Sequence, residues 1–426
     1  MNFFAVTGNP IFFSKSPNLF NYFFDKENIE AKYFRLAADS AEEAINLFNE
    51  LGLSGMNVTA PFKTDIIQYL DKIDDLASQI GSVNTIVKKG SKLIGYNTDY
   101  YGITNTLKDV KDKNIIVLGA GGAAKAAIFA LIKNNANVTV YNRTKSNAKE
   151  LIDKYNINFC DETNLKIEVA KADIIINTLP HGIKIIDDEL INENHIIFDT
   201  IYDNSVYQDI AKEKNITFFD GKHWLLNQAL ASFEHFFNKK INFNIDIFDK
   251  MPKSKEKLIF IGFMGSGKTS ISEAIGAKLN YKLFCTDKII SSKESKSIND
   301  IFEEKGEPYF RQVEQDILTM LSNMDGKAII STGGGIILNE TNRKLIKDNY
   351  TAIWLYANTE SIMSRTKPEN RPLLKNNFTK EFVAKLMEIR KIYYLESADL
   401  IINTNHKSIE EISDKLLLSE LKNINN

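Results

Sequence analysis

Cysteine is scarce in this sequence, Cys160 and Cys285 being the only two among 426 residues. Two thiols so far apart make no disulfide framework, which excludes the small secreted scaffolds and fits a reducing cytoplasm. Long apolar runs are missing too. No stretch approaches the roughly 18 uninterrupted apolar residues of a membrane-spanning helix, so no membrane partner is expected. The start, Met1-Asn2-Phe3-Phe4-Ala5-Val6, has no basic segment and turns at once at Thr7-Gly8-Asn9-Pro10. It reads as a strand and not as a signal peptide. Nor is there an excess of one charge: 53 basic residues against 55 acidic ones leave a formal charge of -2. That field is too weak to draw the chain onto nucleic acid, so any anion must be held locally.

What is present is globular. An apolar fraction of 43% and a charged fraction of 25% exclude wholesale disorder, and the length predicts two or three domains. Short β-branched runs alternate with longer amphipathic stretches, the α/β pattern, with mainly parallel sheets expected. The blocks divide at 1–106, 107–248 and 257–426. Between the last two, Asp249-Lys250-Met251-Pro252-Lys253-Ser254-Lys255-Glu256 is a polar run with a helix-breaking proline, read as a linker over 249–256. No internal repeat is found. Near the end, Ser408-Ile409-Glu410-Glu411 opens like a capping box before a surface helix.

The third block begins with the apolar strand Leu258-Ile259-Phe260-Ile261. Gly262-Phe263-Met264-Gly265-Ser266-Gly267-Lys268-Thr269 follows, matching G-x-x-x-x-G-K-[ST], and a helical stretch begins at Ser270. Glycines let backbone N–H groups converge on phosphates, Lys268 reaches the terminal ones, and the Thr269 hydroxyl can ligate Mg²⁺. ATP with Mg²⁺ is therefore expected. Further on come Asp287, Gly306-Glu307-Pro308-Tyr309-Phe310-Arg311 with Glu314, Gly333-Gly334-Gly335, Arg365, Arg371-Pro372-Leu373-Leu374 and Arg390. A carboxylate, arginines and a bare backbone wall suit a small anionic polyol.

In the middle block, Ile115-Ile116-Val117-Leu118 leads into Gly119-Ala120-Gly121-Gly122-Ala123-Ala124 and a helix. This G-x-G-x-x-A in its strand-to-helix context predicts a Rossmann dinucleotide site at Gly119, Gly121, Gly122 and Ala123. After the next strand, Asn142-Arg143-Thr144-Lys145 stands where an NAD site places an acid. Positive charge there suits a 2′-phosphate, so NADP is expected.

Two family resemblances organise the rest. G-x-M-G-x-G-K-T, the aspartate, G-E-x-x-F-R-x-x-E, G-G-G, R-P-L-L and R-x-x-x-Y-x-x-x-A, in that order, make the third block resemble shikimate kinase. The fold so implied is a P-loop α/β domain of nucleoside-monophosphate-kinase type. Residues 1 to about 245 resemble shikimate dehydrogenase through Ser14-Lys15-Ser16, Asn57-Val58-Thr59-Ala60-Pro61-Phe62-Lys63, Ser82-Val83-Asn84-Thr85 and Asn97-Thr98-Asp99. Asn177-Thr178, Asp199-Thr200-Ile201-Tyr202 and Asn227-Gln228-Ala229 continue that series. The implied fold is an α/β substrate domain followed by the Rossmann domain.

The kinase resemblance implies that Arg311 and Arg390 hold the shikimate carboxylate while Asp287 meets ring hydroxyls beside Gly333, Gly334 and Gly335 and serves as base. It also implies that Arg371 closes over the transferring phosphate and Arg365 packs on adenine. The dehydrogenase resemblance implies that Ser14, Ser16 and Tyr202 meet a carboxylate, and that Thr59, Asn84, Asp99 and Gln228 contact hydroxyls. Lys63 with Asp99 is the catalytic pair for reducing 3-dehydroshikimate, a reaction that requires no metal. The chain is thus expected to be a cytoplasmic bifunctional enzyme making shikimate and then shikimate 3-phosphate.

Three positions depart from the family patterns. Cys285 replaces the first of two aspartates, and a thiol is a poor ligand for a hard cation. His223 stands where a glycine is usual, and Asn147 where a second phosphate-binding arginine is common. The rival readings are a dehydrogenase acting on quinate with NAD, one half retained only for binding or regulation, and a generic P-loop ATPase.

Overall fold

The computed structural model describes every residue except 253–254, 371, 376 and 418–426. Strands β1 (Asn2–Gly8) and β2 (Ala31–Ala37) open the chain. β3 (Gly55–Val58), β4 (Lys72–Ile73), β5 (Thr85–Lys89) and β6 (Lys92–Tyr96) follow. Next are β7 (Asn114–Leu118), β8 (Asn137–Tyr141), β9 (Asn158–Cys160), β10 (Ile174–Asn177), β11 (Ile196–Asp199) and β12 (Thr217–Phe219). The last are β13 (Lys257–Ile261), β14 (Lys282–Cys285), β15 (Ala328–Ser331), β16 (Tyr350–Tyr356) and β17 (Leu400–Asn403).

Two compact units result, and they do not follow the order of the chain. One unit joins residues 1–53 to 252–426, and the other holds 54–251. In the first, seven strands lie in the order β14-β15-β13-β16-β17-β2-β1, all parallel to their neighbours. The join is β17 on β2, with Leu400 opposite Arg35, Ile401 opposite Leu36 and Ile402 opposite Ala37. Leu258, Ile259, Phe260 and Ile261 of β13 are wholly buried, as expected of a strand covered by helices on both faces. β13 lies between β15 and β16, both later in the chain. Its carboxyl end is therefore a topological switch point, where open α/β sheets bind ligands.

The second unit contains the sheet β12-β11-β10-β7-β8-β9, parallel throughout. Alternate side chains serve its two faces. Ile115, Val117, Val138 and Val140 pack on one, and Ile116, Leu118, Ile175 and Ile197 on the other. Burying each such side chain contributes about 1.5–3 kcal/mol. Strand β7 lies between β8 and β10, which makes a second switch point.

The expectation of mainly parallel pairing holds in both sheets described above and for β4 with β6; the exceptions in this unit both involve β5. β3 with β5 and β5 with β6 are antiparallel. The chain reverses between Lys89 and Lys92 through Gly90 at φ 63°, a tight reversal that only antiparallel strands can use. Among the described residues, no helix is long and apolar enough to cross a membrane.

Candidate active sites

The first site lies in the 54–251 unit. Lys63 follows β3 in a turn, and Asp99 starts the helix Asp99–Thr104 just beyond β6. Lys63 Nζ lies 2.5 Å from Asp99 Oδ2, the lysine side chain 15% exposed and the aspartate 2%. The Trp224 indole N–H donates to Asp99 Oδ1 at 3.3 Å, so each carboxylate oxygen has its own donor and the carboxylate plane is set. Trp224 can approach because residue 102 is glycine: a Cβ there would sit 2.6 Å from the indole.

Next to this pair, Asn84 is fixed at both ends of its amide. Its Oδ1 accepts from the Thr98 N–H (2.7 Å) and from the hydroxyls of Thr98 (3.1 Å) and Thr85 (3.0 Å), and its Nδ2 donates to Gln228 Oε1 at 3.2 Å. Ser232 ties the group together, 2.9 Å from Thr85, Thr98 and Asn57. Burial, with the Asp99 charge adding, pushes the Tyr202 phenol up to about 12, so it stays a hydrogen-bond donor at neutral pH. Thr59 is half-buried at the end of β3.

The dinucleotide loop belongs to the same unit. Gly119 takes φ 111°, a region glycine favours, and a Cβ there would meet the Thr178 hydroxyl at 2.6 Å. Gly121 caps the helix Gly122–Lys133 with extended backbone and no side-chain cap, and a Cβ on it would meet nothing within 4 Å. Unclaimed N–H groups at an open helix start, with Ala123 in the first turn, fit a pyrophosphate. A Cβ on Gly122 would sit 3.7 Å from Lys63 Cδ, so the lysine reaches the loop's edge. Arg143, Thr144, Lys145 and Asn147 are exposed after β8, and the Asn142 amide donates to Thr144 O at 2.8 Å. His223 is held by Asp220, Nδ1 to Oδ1 at 2.9 Å, and is 31% exposed.

Ser14 and Ser16 lie in the other unit. The Ser16 N–H donates to Ser14 Oγ at 3.3 Å, and Arg35 Nη2 donates to Ser14 O at 2.6 Å.

The second site gathers at the carboxyl end of β13. Gly265 takes φ 81°, and a Cβ on it would collide with the Thr366 hydroxyl. Gly262 and Gly267 complete the loop, and Gly267 leads into the helix Lys268–Leu279 with no side-chain cap. Lys268 Nζ folds back over the loop, donating to Gly262 O and Phe263 O at 2.9 Å each. The Ser266 hydroxyl is buried without a partner among the described residues. Such a cradle fits the phosphates of a nucleotide. Ser270, one residue past Thr269, is exposed. Thr269 Oγ1 lies 3.4 Å from Ser331 Oγ, and Cys285 pairs in register with Ser331 as a free, half-buried thiol. The two hydroxyls suit a hard cation and the thiol does not.

A cavity next to this loop is lined by Met264, Asp287, Arg311, Glu314, Arg390 and the three consecutive glycines. Arg311 is gripped from its own helix. Glu307 Oε1 accepts from Nε (3.1 Å) and Nη2 (2.9 Å), and Glu314 Oε2 accepts from Nη1 (2.8 Å). Arg390 Nη1 and the Tyr394 hydroxyl both donate to Gly334 O, at 3.2 and 2.6 Å. Each glycine is demanded by space. A Cβ on Gly333 would lie 2.8 Å from Glu314 Oε1 and 2.9 Å from Asp287 Oδ1. On Gly334 it would lie 3.0 Å from Met264 N, and on Gly335 2.5 Å from Arg311 Cζ. Asp287 Oδ1, Glu314 Oε1 and Arg390 Nε are buried and lack partners among the described residues. Two acceptors and a cationic donor thus face one small cavity. Burial, with Asp287 adding and Arg311 opposing, pushes the Glu314 carboxyl up to about 7.

Arg365 does not stand free: its Nη1 and Nη2 donate to Thr404 Oγ1 (3.1 Å) and Thr404 O (2.6 Å). Arg371 lies outside the described residues. Sequence reasoning assigned no role to Trp224, Ser232, Glu307, Glu314 or Tyr394. Helical spacing carries part of the signal, since Glu307 and Glu314 sit four before and three after Arg311, and Tyr394 four after Arg390.

Comparison with known proteins finds three family models along the chain. "Shikimate dehydrogenase substrate binding domain" matches residues 6–86, "Shikimate / quinate 5-dehydrogenase" 103–219, and "Shikimate kinase" 264–420. The chain is 37% identical over 242 residues to the shikimate dehydrogenase (NADP(+)) of Aquifex aeolicus, covering 54% of this chain and 89% of that protein. Its identity to the Methanosphaera stadtmanae enzyme of the same name is 37% over 257 residues, 55% of this chain and 91% of that protein. The crystal structure of the Aquifex aeolicus dehydrogenase superposes with a TM-score of 0.55 at 32% identity, covering 59% of this chain and 97% of that one.

Proposed function

Because the chain belongs to the shikimate dehydrogenase family and continues into a shikimate kinase domain, it is a bifunctional shikimate-pathway enzyme, and we propose the following division of labour among its residues. Residues 1–106 form the dehydrogenase's substrate domain, 107–248 the NADP domain, 249–256 the linker and 257–426 the kinase. The substrates are 3-dehydroshikimate, shikimate and ATP, and the compartment is the cytoplasm.

In the dehydrogenase half, bound NADPH supplies the hydride. Lys63 donates the proton that the developing alkoxide needs, and Asp99 orients the lysine and accepts from a ring hydroxyl. Thr59, Asn84 and Gln228 read the remaining hydroxyls. Tyr202, as a protonated phenol, donates to the carboxylate, and the sequence motif gives Ser14 and Ser16 the same ligand. Gly119, Gly121, Gly122 and Ala123 receive the pyrophosphate, and Asn142, Arg143 and Thr144 the 2′-phosphate. The single observation that carries this half is the Lys63–Asp99 pair at 2.5 Å, next to the glycine loop. Arg143 and Lys145 in place of an acid favour NADP over NAD, and with it shikimate over the quinate reading.

In the kinase half, the loop Gly262–Ser270 holds ATP, Lys268 neutralises its terminal phosphates, and the Thr269 hydroxyl is the protein's ligand to Mg²⁺. Arg311 and Arg390 pair with the substrate carboxylate, a charge-assisted contact. Asp287 accepts the proton of the attacking hydroxyl against the wall of Gly333, Gly334 and Gly335. Arg371 closes on the transferring phosphate and Arg365 on adenine. The carrying observation is Asp287 Oδ1 and Glu314 Oε1, unpartnered among the described residues, beside two arginines: a polyol acid satisfies all of them at once, and a generic ATPase needs none.

The test incubates the full chain with 3-dehydroshikimate, NADPH, ATP and Mg²⁺, following NADPH absorbance and shikimate 3-phosphate. Both signals are expected. Phosphate release from ATP without any shikimate requirement would overturn the kinase assignment. Failure of NADPH to be oxidised would overturn the other.

A further inference from the structure

The kinase half of the sheet does not end at its own last strand. β2, from the start of the chain, lies along β17, and the segment after β2 reaches the loop after β17. Asp39 precedes the helix Ala41–Leu51, capped by Ser40, whose hydroxyl accepts from the Glu43 N–H at 3.1 Å. Glu43 Oε2 accepts from the N–H of Asp39, the residue before the cap, at 2.6 Å, which ties the incoming chain to the first turn. Its other oxygen faces the kinase. Glu43 Oε1 accepts from the Asn403 amide at 2.6 Å and from Lys407 Nζ at 2.8 Å. Asp39 takes Lys407 and Lys415 at 2.5 Å each. Farther along the helix, Glu50 accepts from the Tyr356 hydroxyl at 2.8 Å.

Residues 403 and 407 bracket a loop whose inner members hold the nucleotide end of the kinase. Thr404 accepts both terminal nitrogens of Arg365 and donates its N–H and hydroxyl to Tyr356 O, at 2.8 and 2.9 Å. Asn405 accepts from the Asn358 N–H at 2.8 Å. Thr366, next to Arg365, touches the phosphate loop where a Cβ on Gly265 would collide with it. β17 is two strands from β13, about 10 Å at the usual strand spacing. That is the span from a triphosphate to its base, so the loop after β17 lies at the nucleoside end of whatever the phosphate loop holds.

We infer that Glu43, seconded by Asp39, is a positioning residue for the kinase's ATP site: a carboxylate from the helix Ala41–Leu51, near the start of the chain, anchors both ends of loop 403–407 and through Thr404 sets Arg365. This rests on the reading that the P-loop half binds ATP. The consequence is that ATP affinity depends on residues before position 54, outside the kinase's own stretch of chain.

The experiment uses the full chain and its variants Glu43→Leu, Glu43→Gln and Glu42→Leu, the last an exposed neighbour outside the network. Binding of adenylyl imidodiphosphate with Mg²⁺ is measured by calorimetry. KM values for ATP and shikimate, and NADPH oxidation, are measured on the same samples. Glu43→Leu is expected to weaken the nucleotide about tenfold, the weight of one charged hydrogen-bond anchor. Shikimate KM and NADPH oxidation should stay within twofold of wild type. Glu43→Gln, which keeps an acceptor for Asn403, should fall between, and Glu42→Leu should match wild type. Unchanged nucleotide affinity in Glu43→Leu overturns the inference, as does an equal loss for ATP and shikimate, which marks a general structural role. Should Glu43→Leu fail to fold, Lys407→Met tests the same contact from the kinase side with the same criteria. If the wild type binds the nucleotide yet phosphorylates no shikimate, the kinase assignment falls while the calorimetric comparison still decides this one.

Discussion

Gly335→Ala places one methyl group where the acceptor site has no room. The added Cβ would stand 2.5 Å from Arg311 Cζ, against an ordinary carbon–carbon contact of about 3.5 Å, so the guanidinium must move by about 1 Å. It cannot do so freely. Arg311 is clamped by Glu307 on Nε and Nη2 and by Glu314 on Nη1, all between 2.8 and 3.1 Å. A shift of that size takes a hydrogen bond past its useful length, and a hydrogen bond to a charged group is worth about 1.5–3 kcal/mol. If the lost contact is the one to substrate, KM for shikimate rises about 10- to 150-fold. ATP KM should change little, because the phosphate loop is built from other residues. The assay is steady-state phosphorylation with each substrate varied in turn, and NADPH oxidation in the same sample reports that the rest of the chain is sound. A shikimate KM within threefold of wild type would refute the idea that Arg311, held against Gly335, binds the acceptor.

Lys63→Met should lower the dehydrogenase kcat by about 10²- to 10⁴-fold, the usual contribution of a positioned proton donor, and leave phosphorylation intact. A kcat within tenfold of wild type would remove Lys63 from that role. Cys285→Asp places an oxygen ligand next to Thr269 and Ser331, and is expected to lower the Mg²⁺ concentration giving half-maximal phosphorylation; an unchanged Mg²⁺ titration would count against the thiol as a limit on Mg²⁺ binding. Glu314 is raised from 4.5 to about 7, so the folded state holds a proton that the unfolded chain releases above about pH 4.5. Its stabilising effect is complete below the unfolded value and is lost as pH rises to about 7. Compared with Glu314→Gln by denaturant titration of the kinase signal, the wild type should lose ground steadily over that window; a constant difference would refute it.

Sequence by itself determined the two phosphate-binding loops. Gly119–Ala123 and Gly262–Thr269 are contiguous, and the backbone groups that meet phosphate are set by local glycine conformation and the start of the next helix. The shared direction of most strands was equally legible, because residues buried on both faces of a parallel strand leave an unbroken apolar run. The antiparallel β5 and β6 hid behind a short Lys-Gly-Ser reversal whose meaning depends on pairing. The sites were legible only as residue types in motif order. That Trp224 shares Asp99 with Lys63, or that Glu314 stands unprotonated or protonated beside Asp287, depends on burial, which neighbours far along the chain impose.

Only the tertiary structure decided that residues 1–53 complete the sheet of residues 252–426. The pairing of Leu36 with Ile401 and the ion pair of Asp39 with Lys415 join segments more than 360 positions apart. No periodicity or spacing encodes them, since an apolar strand with a free edge states that it needs a neighbour and never which one.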